Sequence, residues 1–195
     1  MNLTIIDYNA GNTQSVIFAL NRLGISPNLT DDFEAIQTAD KVIFPGVGEA
    51  STTMSFLRKK KLDQLIPSLK QPVLGICLGM QLMCAHSEEN DTTCMGIFAE
   101  KVKLFRPASG EKVPHIGWNN ITHLKEGIFD QTLENERVYF VHSYYVEKSK
   151  HTAAIANYCL PFSAALQKDN FFATQFHPEK SGKIGAKIIE NFIKI

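Results

Sequence analysis

The chain has 195 residues, 20 Lys and Arg against 20 Asp and Glu, and 44% hydrophobic residues. That length suits a single domain, 1–195, with a sizeable core, and such a composition is not that of a disordered chain. Zero net charge argues against a nucleic-acid surface, which needs an excess of Lys and Arg; the basic run Arg58–Lys61 reads as a solvated face.

Leu3 to Asp7 is an apolar run expected to form a buried strand. Asn9-Ala10-Gly11-Asn12 supplies turn chemistry. Val16, Ile17, Leu20 and Leu23 recur at helical spacing, and Gly24 is placed to end that helix. A strand within Ile25–Thr30, a short helix over Ala35–Ala39 and a strand at Val42-Ile43-Phe44 follow, the last stopped by Pro45-Gly46-Val47-Gly48. Ser51 is the expected cap of a helix carrying Met54, Phe56 and Leu57. Val73 to Ile76 is a fourth strand, followed at once by a helix from Leu78 to about His86. Alternating strands and helices predict an α/β fold, a mostly parallel sheet with helices on both faces.

The second half changes character. Strands are expected at Val102–Phe105, Val138–Val141 and Ala153–Ala156. A hairpin of Phe162–Gln167 and Phe171–Phe176 turns at Lys168-Asp169-Asn170. Ser181 is expected to cap a last helix with Ile184, Ile188, Ile189 and Phe192 on one face. An antiparallel portion is thus added in the C-terminal half.

No apolar run approaches the about 20 residues that span a bilayer. Met1–Ile6 has no basic start and is closed by Asp7, so no signal peptide is expected. The four cysteines, Cys77, Cys84, Cys94 and Cys159, form no C-x-x-C pair and no disulfide pattern, and the cytoplasm is the expected compartment. The histidines show no metal-binding spacing, so no metal is expected.

Gly75-Ile76-Cys77-Leu78-Gly79 has the form G-x-C-x-G, a cysteine version of the nucleophile elbow. A strand turning straight into a helix crowds the residues two before and two after the corner, where only small residues fit. The turn would expose Cys77 at the carboxyl edge of the sheet, where open parallel sheets bind ligands. A helix N-terminus favours a thiolate, and the Leu78 N–H would point to a developing oxyanion. The pentapeptide alone is equally compatible with a buried structural cysteine. Cys84, Cys94 and Cys159 lack such a setting and read as structural.

His177-Pro178-Glu179 supplies a base and its orienter. Pro178 forces His177 into extended geometry, where residues i and i+2 point the same way. Glu179 would then fix the imidazole tautomer and favour its charged form. Two such signals converging favour cysteine chemistry. Gly46 and Gly48 around Val47 leave a close-approaching backbone at the same sheet edge. Its N–H groups could complete an oxyanion hole with Leu78, although a plain turn fits the spacing equally well.

Pro45-Gly46-Val47-Gly48, Gly75 to Gln81 and His177-Pro178-Glu179, in that order and spacing, resemble the three signatures of class I glutamine amidotransferases across essentially the whole chain. Ile5–Asn12, Pro114–Asn119 and Tyr139–Tyr145 further resemble the branch of that family comprising the glutaminase subunits of imidazole glycerol phosphate synthase. The resemblance implies a flavodoxin-like sheet and no cofactor. It implies a catalytic triad of Cys77, His177 and Glu179 acting on glutamine, and an oxyanion hole at Val47, Gly48 and Leu78, with Val47 needing a backbone flip. It assigns Gln81, Glu89, Ser143 and Tyr144 to the glutamine substrate. It assigns Asn12, Tyr139, Lys180 and Trp118 to a gate facing a partner, the (β/α)8-barrel cyclase subunit, which receives the ammonia in L-histidine biosynthesis.

Overall fold

In the computed structural model, residues 1–8, 13–108 and 110–195 are described. The elements run β1 (Leu3–Ile6), α1 (Thr13–Arg22), β2 (Asn28–Thr30), α2 (Phe33–Gln37), β3 (Lys41–Phe44), α3 (Ala50–Lys59), α4 (Leu62–Ser68), β4 (Val73–Ile76) and α5 (Leu78–Met83). Then come β5 (His86–Ser87), β6 (Thr92–Thr93), β7 (Lys101–Leu104), β8 (His115–Asn120), β9 (Arg137–His142) and β10 (Tyr144–Val146). The long hairpin β11 (Thr152–Tyr158) and β12 (Leu160–Lys168), then β13 (Phe171–Thr174) and α6 (Gly182–Lys194), complete the chain.

Seven strands make the main sheet, in the order β11-β12-β13-β4-β3-β1-β2. From β2 to β13 all neighbours are parallel, and β12 and β11 add an antiparallel edge. This is the expected doubly wound, flavodoxin-like arrangement. Every residue of β1, β3, β4 and β13 is buried, as parallel strands covered on both faces require. Alternation along the strands sorts their side chains into two cores. Ile5, Ile43, Leu74 and Ile76 pack with Val16 and Leu20 of α1 and Ile188 and Phe192 of α6. Ile6, Val42, Phe44 and Val73 face Ile36, Met54, Leu57, Leu65 and Met80 of α2 to α5.

Several local expectations shift. The cap of α3 is Glu49, not Ser51: its carboxylate accepts from the N–H groups of Ser51 (2.7 Å) and Thr52 (2.8 Å). The short helix starts at Phe33, because Asp32 caps it by accepting from Ala35 N–H at 2.8 Å. Helix α5 stops at Met83, and His86 already lies in β5. Ser181 precedes α6 without capping it; its hydroxyl donates to the His177 carbonyl (2.6 Å) and accepts from Tyr139 N–H (2.9 Å). Asn9 to Asn12, including the expected turn and the gate residue Asn12, lie outside the described residues. Among the described residues no helix is long and apolar enough to cross a membrane.

Candidate active site

The corner between β4 and α5 is as tight as G-x-C-x-G requires. Cys77 sits at φ 52°, ψ −107°, a conformation that side chains rarely adopt and that persists only where the surroundings enforce it. Its N–H donates to the Thr174 carbonyl of β13 at 2.7 Å. A Cβ on Gly75 would lie 3.1 Å from the Gly79 carbonyl carbon, and one on Gly79 would collide with the Phe44 carbonyl. Both glycines are therefore demanded by the close passage of α5 across β3 and β4.

His177 follows β13, the strand parallel to β4, and so emerges at the same sheet edge. It has the expected extended geometry (φ −98°, ψ 96°). The expected extended path through Glu179 does not occur. Pro178 opens a 3-10 turn, Pro178–Lys180, and that turn swings Glu179 back beneath the imidazole. Glu179 Oε1 lies 2.8 Å from His177 Nδ1, and both side chains are buried. A carboxylate can only accept, so Nδ1 carries the proton and Nε2 is left for other work. Nε2 is buried with no hydrogen-bond partner among the described residues. Burial disfavours the imidazolium, but interactions with Cys77 and Glu179 outweigh it and hold His177 up to about 10.

Cys77 and His177 share the wall of a cavity of about 340 Å³. Val47, Gly48 and Leu78 line it, as do Gln81, Glu89, Ser143 and Tyr144, so every residue expected to touch an oxyanion or substrate faces one space. Pro114, Val141 and His142 complete the wall and were not anticipated. The Glu89 carboxylate accepts from Ala50 N–H at the start of α3 (2.8 Å). Burial, reinforced by neighbouring Glu49, keeps it protonated to higher pH than an ordinary carboxyl. The Leu78 N–H is engaged, donating to the Gly46 carbonyl at 3.3 Å. In a trans peptide the Val47 N–H then points the opposite way. The Tyr8 hydroxyl donates to the Pro45 carbonyl and tethers this loop from β1.

Two polar chains converge on the carbonyl of Tyr144. Gln81 Nε2 donates to it at 3.3 Å and to Gln175 Oε1 at 3.0 Å, and Gln175 Nε2 donates to Cys77 Sγ at 3.7 Å. His142 Nδ1 lies 2.7 Å from the same carbonyl, and His142 Nε2 lies 3.0 Å from His115 Nδ1. Because the carbonyl only accepts, His142 must carry its proton on Nδ1, and His115 must then donate from its own Nδ1. Burial lowers both, to about 3 for His142 and about 4 for His115, so both rings are neutral at physiological pH.

Tyr139, Lys180 and Trp118 gather on the His177 side but do not line the cavity. The Tyr139 carbonyl accepts from His177 N–H (2.9 Å), and the Lys180 N–H donates to the His177 carbonyl (3.1 Å). Trp118 pairs with Tyr139 across the β8–β9 ladder, its ring edge-on to the tyrosine, and is 47% exposed beside Ile116, 61% exposed. Among the described residues no group of three or more His, Cys, Asp or Glu is arranged to hold a metal ion.

A cysteine at a strand–helix elbow, with a histidine–carboxylate pair at the same edge of a doubly wound sheet, is the layout of an α/β enzyme working through a thiol nucleophile. The family model for class-I glutamine amidotransferases matches residues 4–195, and the chain belongs to that family. It is 58% identical over 196 residues to the imidazole glycerol phosphate synthase subunit HisH of Bacteroides fragilis (strain YCH46), covering all of both chains. It is 45% identical to the subunit of the same name from Haemophilus influenzae (strain Rd), over 100% of this chain and 98% of that one. Among solved structures, a glutamine amidotransferase of Thermotoga maritima superposes with a TM-score of 0.63 at 17% identity, covering 100% of this chain and 83% of that one. Another glutamine amidotransferase gives 0.75 at 16% identity, covering 98% and 97%. At those identities the likeness is one of fold.

Proposed function

We propose that this chain, as one domain spanning 1–195, is the glutaminase subunit of a cytoplasmic imidazole glycerol phosphate synthase. The observation that carries the proposal is the end-to-end 58% match to subunits of that name, in a chain whose Cys77 and His177 line one cavity with Glu179 bonded to His177 behind it.

The Cys77 thiolate attacks the side-chain amide carbon of glutamine, and the C=O electron pair moves onto oxygen. His177 delivers a proton to the amide nitrogen, the C–N bond breaks, and ammonia leaves a glutamyl thioester on Cys77. Water then attacks the thioester carbon while His177 accepts its proton; the C–S bond breaks and glutamate departs. Glu179 keeps Nε2 of His177 turned to the reaction throughout. Glu89 suits the α-ammonium of glutamine, while Gln81, Ser143 and Tyr144 supply polar groups along its length. Ammonia passes to a (β/α)8-barrel cyclase subunit bound at the face of Tyr139, Lys180 and Trp118. There it enters imidazole glycerol phosphate and aminoimidazole carboxamide ribotide formation without meeting water.

Both tetrahedral intermediates need an oxyanion hole, and the Gly46 carbonyl occupies the Leu78 donor. One peptide flip between Gly46 and Val47 frees that N–H and turns the Val47 N–H inward. Each oxyanion donor is worth roughly 3–4 kcal/mol of barrier, so the flip is an effective switch, and binding of the loaded partner would throw it. Acid-quenched turnover with the partner present should trap a glutamyl adduct on Cys77, seen by mass spectrometry. No adduct, or glutaminase activity surviving Cys77→Ala, would defeat the reading.

A further inference from the structure

We infer that Gln175 is a further member of the catalytic machinery, a fixed hydrogen-bond donor that holds the Cys77 sulfur and favours its thiolate. The inference deepens the glutaminase reading and rests on Cys77 being its nucleophile.

Which end of an amide side chain faces its neighbour is decided here by a backbone group. The Tyr144 carbonyl accepts only, so the Gln81 atom 3.3 Å from it is the NH2 nitrogen. The second hydrogen of that NH2 goes to Gln175 Oε1 at 3.0 Å. With its oxygen committed, Gln175 has only its own NH2 to present to Cys77 Sγ, 3.7 Å away. Reversing either amide would set two donors or two acceptors against each other. The anchor cannot turn away, because His142 Nδ1 takes the Tyr144 carbonyl at 2.7 Å as well.

Burial gives this contact its strength. Gln175 is wholly buried and Gln81 nearly so, so water does not compete for the amide, and a hydrogen bond in such surroundings is stronger than one in solvent. A donor to sulfur is stronger still when the sulfur is ionised, and it favours that form. Sγ also interacts with the His177 imidazole, whose charged form favours the thiolate, and with the Tyr8 phenol, and it lies 3.9 Å from the Val141 carbonyl, an acceptor that suits only the protonated thiol. Gln175 therefore offsets a neighbour that would keep the thiol neutral. It also adds no charge that would have to be neutralised when the thioester forms.

The test uses the full chain and its variants Gln175→Glu and Gln175→Met, with folding checked by thermal melting. Carboxamidomethylation of Cys77 by iodoacetamide is followed by peptide mass mapping from weakly acid to alkaline pH. Turnover is measured with the cyclase partner bound. We expect both variants to move the alkylation profile up by about one pH unit, slowing reaction at neutral pH roughly tenfold. The glutamate variant, which sets an anion beside sulfur, should move it furthest. kcat should fall while KM for glutamine holds. In the unmutated protein, the Gln175 side-chain amide signal should shift on alkylation of Cys77, while that of exposed Gln37 stays still. Lower melting temperatures with an unmoved alkylation profile, or a Gln175 signal indifferent to alkylation, would overturn the inference. Absence of glutaminase activity in the unmutated complex would instead overturn the glutaminase reading, whatever the profile shows.

Discussion

Single side chains set the chemistry through the direction of their protons. Glu179 fixes the His177 proton on Nδ1, so Glu179→Gln, which can present an amide donor in its place, should lower kcat roughly 10²- to 10⁴-fold with the glutamine KM little changed. Steady-state glutaminase assays of the complex check this, and a selective rise in KM would speak against it. The His115–His142 pair carries a second prediction. Their values are lowered in the folded chain to about 4 and about 3 from 6.5. The unfolded chain therefore binds more protons below about 6.5. Their contribution to stability is full above that pH and is lost as pH falls through about 4 and then about 3. Urea midpoints should decline over this window, and His115→Asn, which keeps a donor near the Nδ1 position, should flatten part of the decline. Cys77, His177 and Glu179 were legible because their neighbours Gly75, Gly79 and Pro178 constrain backbone in ways a sequence displays. His142 was legible in principle, since alternation along β9 sends Val138, Phe140 and His142 inward. Gln175 was not: nothing local marks a glutamine whose partners lie 94 and 98 residues away.

At the scale of elements, close approaches and caps decide what reaches the site. Gly79→Ala would press a methyl into the Phe44 carbonyl of β3, so it should destabilise by about 1–3 kcal/mol, the usual range for overpacking, and should disturb the elbow. Gly185 of α6 is placed likewise against the Pro178 carbonyl, which lets α6 brace the turn carrying Glu179. Denaturant titrations read both. Glu49→Ala removes the α3 cap and should cost about 1 kcal/mol. Hydrogen bonds from Thr52, Ser51 and Asn90 outweigh desolvation and hold Glu49 down to about 2. That benefit is full above the ordinary carboxylate range and is lost as pH falls through about 2. The cost of the substitution should therefore vanish in strong acid. Strong apolar runs such as Val42–Phe44 and Val73–Ile76 revealed their strands. Helix α4 was hidden by the preceding basic run and by Pro67 near its end, although Leu62, Leu65 and Ile66 mark its buried face. Strand β8 was hidden by Gly117, and β5 and β6 are only two residues each, too short to show alternation.

Over the whole molecule, the sheet order brings β3, β4 and β13 side by side. Three segments far apart in sequence, at Val47, Cys77 and His177, thus meet at one edge, which is why three separate motifs could be read as one site. The hairpin of β8 and β9 adds what the alternating first half did not disclose. It closes the cavity with Val141 and His142 while presenting Trp118 and Ile116 outward. One hairpin thereby joins the exposed face to the reaction space. On the proposed mechanism, glutamine hydrolysis by Cys77 waits for a loaded partner to turn the Gly46–Val47 peptide. The most direct test of that mechanism is glutamate release by the purified chain in three states: alone, with the cyclase barrel, and with that barrel carrying its nucleotide ligand. Low activity is expected in the first two and a rise of at least roughly 10²- to 10³-fold in the third, since one restored oxyanion donor alone is worth that much and the flip supplies Val47 while freeing Leu78. Equal, full activity in all three would contradict the mechanism.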